Sequence, residues 1–369
     1  MATRTRASKS ALASASKALS EEARAMMVSS EAPVRQAEYL EQYVIPCGLF
    51  EIDQILFRGQ GGFVRGCRYQ IWGKPKSCKS ATGYRLLGNT QKRCPDLKVA
   101  LVDTETRYRD GLLGTWIEVM GVSRDRLDVF QPQNLDSAYR LQVELAESAE
   151  YAMILWDSYA STKTSPTAEV DLKKYRKKAY GSRGRIGEGP RVNRQGIPDV
   201  SGACDDNKVL WVIINQTINL INDWGAAYGF PGGHPLEHGM DAHLFLERKK
   251  DIVEEGVTVG RNIRARVTGS SLFLDGAATG PEGLCPDVRF YFDGRNVDPL
   301  INIVETAISV GVVEQRGAIF SWGDISAKGK LKFTEAVESL KDELWEATRS
   351  AMMEQEEDEE GEFELVFED

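Results

Sequence analysis

Short apolar runs alternate with longer amphipathic segments between residue 43 and about residue 292. The apolar runs have the length of buried strands and occupy residues 69–72, 99–102, 153–156, 209–214 and 243–246. Strands of this kind, separated by helix-length segments, predict a largely parallel sheet with helices on its faces, which is an α/β fold. No run approaches the ~20 apolar residues that cross a bilayer, so we expect no membrane-spanning segment.

The rest of the chain divides into further segments. Residues 1–42 are rich in Ala, Ser, Lys and Arg, which favours an N-terminal arm that docks on a neighbouring subunit; an organellar transit peptide has a similar composition. Residues 43–295 form the predicted core. Two helical patterns around an aromatic turn predict a small α+β domain over residues 296–350, and the acidic tail (residues 351–369) is too polar to fold alone.

Composition narrows the class of protein. Of the 369 residues, 42% are hydrophobic and 27% are charged, which is ordinary for a soluble globular chain. The six cysteines lie apart and form no C-x-x-C pair. We therefore expect reduced thiols and a cytoplasmic location.

The net charge of −9 hides an uneven distribution. Ten acidic residues and no Lys or Arg lie between Glu354 and Asp369, so the rest of the chain is nearly neutral. The basic segment (residues 173–194) carries nine Lys and Arg, one acidic residue and several glycines. Basic residues on a mobile loop can follow a phosphate backbone, and the acidic tail could compete for them. The alternative is a solvated basic helix face.

The strongest chemical signal directly follows the apolar run 69–72. It reads Gly-Lys-Pro-Lys-Ser-Cys-Lys-Ser from residue 73 and precedes a helical pattern. In the phosphate-binding motif G-x-x-x-x-G-K-[ST], backbone N–H groups face the phosphates, the Lys reaches the β/γ oxygens and the hydroxyl binds Mg²⁺. Gly73, Lys79 and Ser80 are in register, but Cys78 replaces the second glycine. A Lys/Ser-rich surface turn is the alternative.

Two further strand ends carry carboxylates. Glu105 lies just past the run 99–102, where it could polarise an attacking water, and Asp157 directly follows the run 153–156, where it could support Mg²⁺. Three phosphate-chemistry elements in this order predict an ATPase that uses ATP and Mg²⁺. The residues predicted to contact nucleotide in the phosphate loop (residues 73–81) are Gly73, Lys74, Pro75, Lys76, Ser77, Cys78, Lys79, Ser80 and Ala81.

The order of these motifs resembles the RecA recombinase family. It includes residues 45–53, Gly61-Gly62, the phosphate loop, residues 103–105, Asp157-Ser158, residues 213–216, Gly232-Gly233 and residues 298–323. The resemblance spans about residues 43–325. Its nearest counterparts are phage recombinases of the UvsX type, whose phosphate loop also lacks the second glycine. It implies a RecA-like P-loop ATPase core, with a mostly parallel twisted sheet, an N-terminal oligomerisation arm and a small C-terminal α+β domain.

The resemblance also implies roles for individual residues. Lys79 would bind β/γ-phosphate oxygens, Ser80 and Asp157 would hold the metal, and Glu105 would be the catalytic base or water-positioning carboxylate. Gln216 would sense the γ-phosphate and relay its presence to the adjacent DNA loop.

The sequence offers two candidates for the adenine contact, and it departs from the family pattern at one further site. Arg109 lies where some family members place an arginine over adenine, and Trp116 is a second stacking candidate unless it packs in the core. The bacterial family has two lysines that reach the neighbouring subunit's ATP; Gly269 and Ser271 occupy those positions. Arg264 or Arg266 could substitute, the contact between subunits could be made differently, or hydrolysis could be weak.

The resemblance also implies two DNA-binding loops. The first covers about residues 160–200, with the candidate contacts Lys173, Lys174, Arg176, Lys177, Lys178, Arg183, Arg185, Arg191 and Arg194. The second covers about residues 217–238, with the candidate contacts Trp224, Tyr228, Phe230, Gly232 and Gly233. Aromatic rings in the second loop could stack on bases or pack on a neighbouring subunit.

One competing motif lies inside the second loop. Residues 234–238 read His-Pro-Leu-Glu-His and fit the inverted zinc-protease pattern H-x-x-E-H. That chemistry needs both histidines on one helix face, and Pro235 is expected to disrupt such a helix. We therefore do not expect a zinc protease.

The leading hypothesis is a DNA-dependent ATPase that forms a helical homo-oligomeric filament on single-stranded DNA and exchanges strands with double-stranded DNA. A RecA-fold DNA motor is one alternative, although no helicase accessory domain is present in the sequence. A mediator paralogue with weak hydrolysis is another, because Cys78 and the missing trans lysines depart from the family pattern. The acidic tail could also dock a single-strand-binding protein or a loader.

Overall fold

The computed structural model describes residues 41–56, 61–108, 113–163, 188–219, 228–271, 285–295, 299–348 and 350–351. The chain divides into two compact units, Met1–Gln42 and Tyr43–Asp369. The acidic tail, nearly all of the N-terminal arm and most of the first predicted DNA loop lie outside the described residues. Within the described residues, no helix combines the length and apolar character needed to cross a membrane.

Fifteen strands are described. They are β1 (Val44–Ile45), β2 (Phe63–Val64), β3 (Arg68–Gly73), β4 (Lys98–Asp103), β5 (Leu127–Phe130), β6 (Tyr151–Asp157), β7 (Leu210–Gln216), β8 (Ile218–Asn219), β9 (Tyr228–Gly229), β10 (Ala242–Glu254), β11 (Val257–Ser270), β12 (Asp287–Tyr291), β13 (Glu314–Arg316), β14 (Ile319–Trp322) and β15 (Ile325–Lys328).

Seven α-helices accompany these strands in the described residues. They are α1 (Lys79–Arg93), α2 (Leu113–Val119), α3 (Leu135–Glu147), α4 (Glu188–Asp206), α5 (Gly233–Gly239), α6 (Pro299–Ser309) and α7 (Lys330–Ala336). A π-helical turn covers Glu51–Leu56, and residues 341–348 are also helical.

The central sheet has eight strands in the order β12-β11-β10-β3-β7-β6-β4-β5. The six strands from β10 to β5 run parallel to their neighbours, and β10, β11 and β12 are joined by antiparallel pairing. The predicted α/β fold with a mostly parallel sheet is therefore confirmed. Each apolar run predicted as a strand lies on one of the strands β3, β4, β6, β7 and β10.

Burial on both faces explains why the parallel strands are continuous apolar runs. Every residue of β6 is buried. Met153 and Leu155 pack into the cluster that includes helix α1, and Ile154 and Trp156 pack into the cluster that includes helices α3 and α4. Successive side chains of a strand point to opposite faces, so a strand covered on both faces cannot alternate polar with apolar residues.

The C-terminal described residues form a third packed layer. Strands β13, β14 and β15 make an antiparallel sheet, and helices α6 and α7 pack with it around the buried residues Val304, Phe320 and Phe333. The rings of Phe50 and Trp345 meet edge to face with centroids 5.2 Å apart. This contact joins the layer to the segment that precedes the π-helical turn.

Candidate nucleotide site

The phosphate loop curls around the ammonium group of Lys79. This residue begins helix α1, and its Nζ donates to the carbonyl oxygens of Gly73 at 2.9 Å and Lys74 at 2.7 Å. Burial lowers the pKa of Lys79 to about 8, and the nearby carboxylates of Asp157 and Glu105 oppose that shift. A phosphate group bound at this ammonium would replace the lost solvation and favour its charged form.

Gly73 is required where β3 meets β10. Its φ is +149°, and a Cβ at this position would lie 2.0 Å from the carbonyl oxygen of Leu246. The first glycine of the motif therefore allows the neighbouring strand to approach, so the phosphate loop leaves the sheet beside β10.

The residue that replaces the second glycine adopts a left-handed conformation. Cys78 has φ 64° and ψ 19°, and Lys76 also has a positive φ of 61°. Glycine adopts this region without a Cβ penalty, whereas other residues are strained there. Burial raises the pKa of the Cys78 thiol to about 11, so the thiol is neutral near pH 7.

Arg261, from β11, holds the outer side of the phosphate loop. Its Nη1 donates to the carbonyl oxygen of Lys76 at 2.7 Å, its Nε donates to Asp251 Oδ1 at 2.7 Å, and its guanidinium lies 5.3 Å from the ring centroid of Phe292. The guanidinium also opposes the rise in the pKa of the Cys78 thiol. The strained part of the loop is thus tied to the antiparallel strands.

Hydroxyl and carboxylate oxygens meet at the start of α1 and the end of β6. Asp157 Oδ2 accepts from the Tyr84 hydroxyl at 2.9 Å, and the Ser80 side chain lines the same cavity as Asp157. Burial raises the pKa of Asp157, and the side chains of Ser80 and Tyr84 act in the opposite direction. Mg²⁺ prefers oxygen ligands, and a cation here would compensate the buried carboxylate, so these residues fit the metal that the family uses.

Glu105 is held in a fixed orientation beside this oxygen cluster. Its Oε1 accepts from Ser158 Oγ at 2.8 Å, Ser161 Oγ at 3.0 Å and Gln216 Nε2 at 3.1 Å. Arg107 forms an ion pair with its other carboxylate oxygen. Gln216 ends β7 and Asp157 ends β6, so the strand order of the sheet brings the predicted catalytic residues to one edge.

A cavity of about 730 Å³ opens at this edge. Its lining includes Lys79, Glu105, Asp157, Gln216 and Arg261 together with Trp116. The volume lies within the range of ligand and cofactor pockets, so it can accommodate a nucleoside triphosphate. Trp116 is 38% exposed, and its ring meets Tyr84 edge to face at 6.4 Å, whereas Arg109 lies outside the described residues.

Several residues of the site carried no signal in the sequence analysis. Arg107 follows Glu105 by two positions, and this short spacing could have identified it. Arg261 comes from β11 and Phe292 directly follows β12; both lie about two hundred residues after the phosphate loop, in segments that contain no recognisable motif. Tyr84 is one helical turn after Ser80, and a tyrosine there reads equally well as core packing.

Most of the candidate DNA contacts in the first loop belong to a segment that the structure does not describe. Lys173, Lys174, Arg176, Lys177, Lys178, Arg183 and Arg185 lie outside the described residues. The expectation of a loop over residues 160–200 is wrong for residues 188–200, because Arg191 and Arg194 are exposed on helix α4. The opposite face of this helix buries Asn193, Ile197 and Val200, so its amphipathic pattern favours a helix.

The second DNA loop is described only at its two ends. Trp224 and the side chain of Tyr228 lie outside the described part. Phe230 is half-buried, with its ring 5.1 Å from Trp72 and stacked on His243 at 5.4 Å. Its ring therefore packs within the chain, in contrast to the expected position for stacking on a base.

The segment after Phe230 is tied to the sheet and to helix α4. The Pro231 carbonyl accepts from Asn215 Nδ2 at 2.9 Å, and the Gly232 carbonyl accepts from Asn193 Nδ2 at 2.7 Å. Gly232 and Gly233 have φ values of 124° and 66°, a turn that favours glycine.

Helix α5 follows this turn and contains Pro235 in its first turn. The expectation that Pro235 disrupts a helix here is wrong. The first N–H groups of a helix have no intrahelical acceptor, so a proline there removes no hydrogen bond.

The positions of the family's trans lysines lie near the end of β11. Gly269 pairs with His243 across the sheet, and the Ser271 N–H donates to the Asp241 carbonyl. Arg264 pairs with Asp287 at 2.8 Å, and Arg266 is exposed with its guanidinium 5.0 Å from the ring centroid of Phe245. Both arginine side chains reach solvent, but Arg264 is engaged by Asp287.

Comparison with known proteins places this geometry in a family. Residues 9–273 match the RecA N-terminal domain. The chain is 27% identical over 338 residues to Protein RecA of Thermus thermophilus, with 89% of each chain covered. It is 24% identical over 299 residues to Protein RecA of Aquifex pyrophilus, with 79% of this chain and 77% of that protein covered. The matched domain exceeds half of the chain, and on this evidence the chain belongs to the RecA family.

Proposed function

We propose that this protein is an ATP-hydrolysing recombinase that forms a filament on single-stranded DNA and exchanges strands with homologous duplex DNA. RecA-family proteins are DNA-dependent ATPases of recombination and repair, and they use ATP with Mg²⁺. The observation that carries the proposal is the convergence of Lys79, the Ser80–Asp157 pair and the Glu105–Gln216 pair at one sheet edge.

In this function the phosphate loop binds and orients the triphosphate. Lys79 would contact β/γ-phosphate oxygens, and Ser80 with Asp157 would hold Mg²⁺, which supplies neutralisation of the phosphate charge. Because Lys79 is held by two backbone carbonyls, its charge is positioned before nucleotide binds. Positioning of this kind is a large part of phosphoryl-transfer catalysis.

Glu105 acts on the attacking water. Ser158, Ser161 and Gln216 donate to one of its oxygens, which keeps the carboxylate facing the cavity. A carboxylate in this position accepts a proton from water or orients it for in-line attack. The ion pair with Arg107 limits the rotation of the carboxylate.

Gln216 connects the nucleotide site to the second DNA loop. Its neighbour Asn215 donates to the Pro231 carbonyl, so β7 holds both ends of residues 217–230. A change in the contact between Gln216 and Glu105 would act on the start of this segment. This connection supports the proposed relay between ATP and DNA binding.

DNA would bind along the basic segment 173–194 and the second loop. The exposed Arg191 and Arg194 on helix α4 extend the basic charge onto a helix face, where phosphates can be contacted. We further propose that the N-terminal arm docks on the neighbouring subunit, and that the acidic tail competes with DNA or docks a single-strand-binding protein or loader.

A strand-exchange assay with matched electron microscopy tests the proposal. The protein, ATP, Mg²⁺ and single-stranded DNA should form helical filaments and convert homologous duplex to exchanged product. A heterologous duplex is the control and should give no product. Filaments without strand exchange would support the mediator alternative, which the uncharged Gly269 and Ser271 favour. Absence of both filaments and exchange would overturn the proposal.

A further inference from the structure

Three exposed side chains on helix α5 form a cluster outside the nucleotide site: His234, Glu237 and His238. His234 Nδ1 lies 3.2 Å from Glu237 Oε2, and the two imidazole rings stack with centroids 5.8 Å apart and 12° between their planes. One ligand atom from each residue lies within 4.8 Å of the other two. All three side chains face solvent, so a hydrated ion can reach them.

We propose that His234, Glu237 and His238 bind one late first-row divalent cation, such as Zn²⁺ or Ni²⁺. Two imidazoles and a carboxylate are the donor set that these metals prefer, whereas Mg²⁺ prefers oxygen ligands alone. The site is therefore chemically distinct from the oxygen cluster at Ser80 and Asp157. One or more water molecules would complete the coordination.

The spacing of the donors fits a single ion after small side-chain rotations. Ligand atoms at about 2.0–2.2 Å from a tetrahedral zinc ion lie roughly 3.3–3.6 Å from one another. The present limit of 4.8 Å is larger than this by little more than 1 Å. All three side chains are exposed, which leaves room for rotation about their χ angles.

The backbone beneath the cluster is anchored. His243 Nε2 lies 2.7 Å from the Glu237 carbonyl oxygen, and Leu236 between the ligands is fully buried. His234 and His238 are one helical turn apart, which places them on the same helix face. The cation would therefore bind to a preformed turn, unlike a site that must first order the chain.

The location gives the site a structural consequence. Helix α5 forms the C-terminal end of the second predicted DNA loop, and Gly232, which precedes the helix, accepts a hydrogen bond from Asn193. A cation bridging both ends of this short helix would oppose its fraying and slow hydrogen exchange in residues 233–239. This inference does not depend on the proposed recombinase function, because it rests on the cluster alone.

Calorimetric titration of the full-length, tag-free protein with Zn²⁺ alone and with Ni²⁺ alone tests the site. Mg²⁺ is present in excess throughout, so oxygen-only sites are filled. We expect one histidine-dependent site per chain, and each of His234→Ala and His238→Ala should weaken it at least about tenfold through loss of an imidazole ligand. Glu335→Gln, an exposed carboxylate on helix α7, is the control and should bind as the wild type does.

Two further measurements keep the result interpretable. The chain has six free cysteines, and Cys285 is exposed, so alkylation of accessible thiols before titration removes thiolate binding. Circular dichroism verifies the fold of each variant, and His238→Gln replaces His238→Ala if the latter is misfolded. Hydrogen exchange of residues 233–239 should slow with Zn²⁺ in the wild type only. Unchanged affinity in the His234→Ala/His238→Ala double variant would overturn the proposal.

Discussion

The two halves of the central sheet contribute to the nucleotide site in different ways. The parallel strands β3, β4, β6 and β7 end at one edge, and each delivers a loop or a polar side chain there. The antiparallel strands β10 and β11 are 13 and 14 residues long, and much of their length is exposed. They contribute few candidate chemical groups, yet they hold the phosphate loop.

Besides the pairing of β3 with β10, side chains of the antiparallel half contact the phosphate loop. Lys74 pairs with Glu247 of β10 at 2.9 Å, and Arg261 of β11 donates to the Lys76 carbonyl at 2.7 Å. The first pair is substantially exposed, and such pairs contribute little to stability. Arg261 has only 14% of its side chain exposed and makes several contacts, so we expect it to matter more. In the proposed function, the parallel half therefore supplies the catalytic groups and the antiparallel half fixes the position of the phosphate loop.

The largest expected effect is loss of the phosphate-loop ammonium. Lys79→Ala should reduce ATP hydrolysis by about a hundredfold or more, because a positive charge and a phosphate donor are lost together. ATP-stimulated DNA binding should be lost as well. Steady-state ATPase and filter-binding assays measure both effects. Lys92→Ala, at the exposed end of the same helix, is the control, and normal hydrolysis by Lys79→Ala would remove the site assignment.

A smaller effect is expected when the contact between Arg261 of the antiparallel half and the phosphate loop is removed. Arg261→Met keeps a long side chain but removes the donors to Lys76 and Asp251 and the guanidinium that lies over the ring of Phe292. We expect KM for ATP to rise about five- to tenfold, equivalent to about 1 kcal/mol of binding, while kcat changes less. Arg316→Met, exposed on β13 and paired with Glu314, is the matched control. An equal fall in kcat with unchanged KM would assign Arg261 to chemistry instead.

Replacing Cys78, which has a positive φ, tests whether Arg261 compensates for strain in the phosphate loop. Cys78→Gly should stabilise the protein by up to about 1 kcal/mol by relieving the positive φ, with turnover equal to or above that of the wild type. In a double-mutant cycle, Arg261→Met should be less harmful in the Cys78→Gly background, because a strain-free loop needs less support. Chemical denaturation and ATPase kinetics of the four proteins measure the coupling, and strict additivity would contradict it.

The last prediction concerns stability, not turnover, at a carboxyl group beneath the antiparallel half. Burial raises the pKa of Glu51 from 4.5 to about 7, partly offset by Arg289 of β12. The unfolded chain ionises this group near pH 4.5 and the folded chain only near pH 7, so its contribution to stability falls as pH rises through that window. Glu51→Gln should therefore be about 1–3 kcal/mol more stable than the wild type at pH 8 and similar to it at pH 4.5. Thermal unfolding across this range measures the difference, and a pH-independent difference would contradict the assignment.

The difference between the parallel and antiparallel halves of the sheet also explains which residues could be predicted from the sequence. The parallel strands are buried on both faces, so they read as apolar runs, and the polar residues that follow them mark the site. Gly73, Lys79, Glu105 and Asp157 were predicted because each lies within or beside such a local pattern. The short strand β5 and the half-exposed strands β11 and β12 give no comparable signal.

Contacts between distant segments could not be predicted in this way. Arg261 reaches the phosphate loop across 185 residues of sequence, and nothing near it indicates a partner. The helical position of Arg191 and Arg194 was missed because glycines suggested a loop, whereas burial of the opposite face of α4 stabilises the helix. Pro235 was misjudged because proline is tolerated in the first turn of a helix but not in its interior.

The most direct test of the central claim is ATP turnover with and without single-stranded DNA, measured for the wild type and Glu105→Gln at saturating ATP and Mg²⁺. We expect wild-type turnover to rise on addition of single-stranded DNA. Glu105→Gln should bind ATP and DNA normally but turn over about 10²–10⁴-fold more slowly, because an amide cannot accept the proton of water. The account would be contradicted if single-stranded DNA left the wild-type turnover rate unchanged. It would also be contradicted if Glu105→Gln hydrolysed ATP at the wild-type rate.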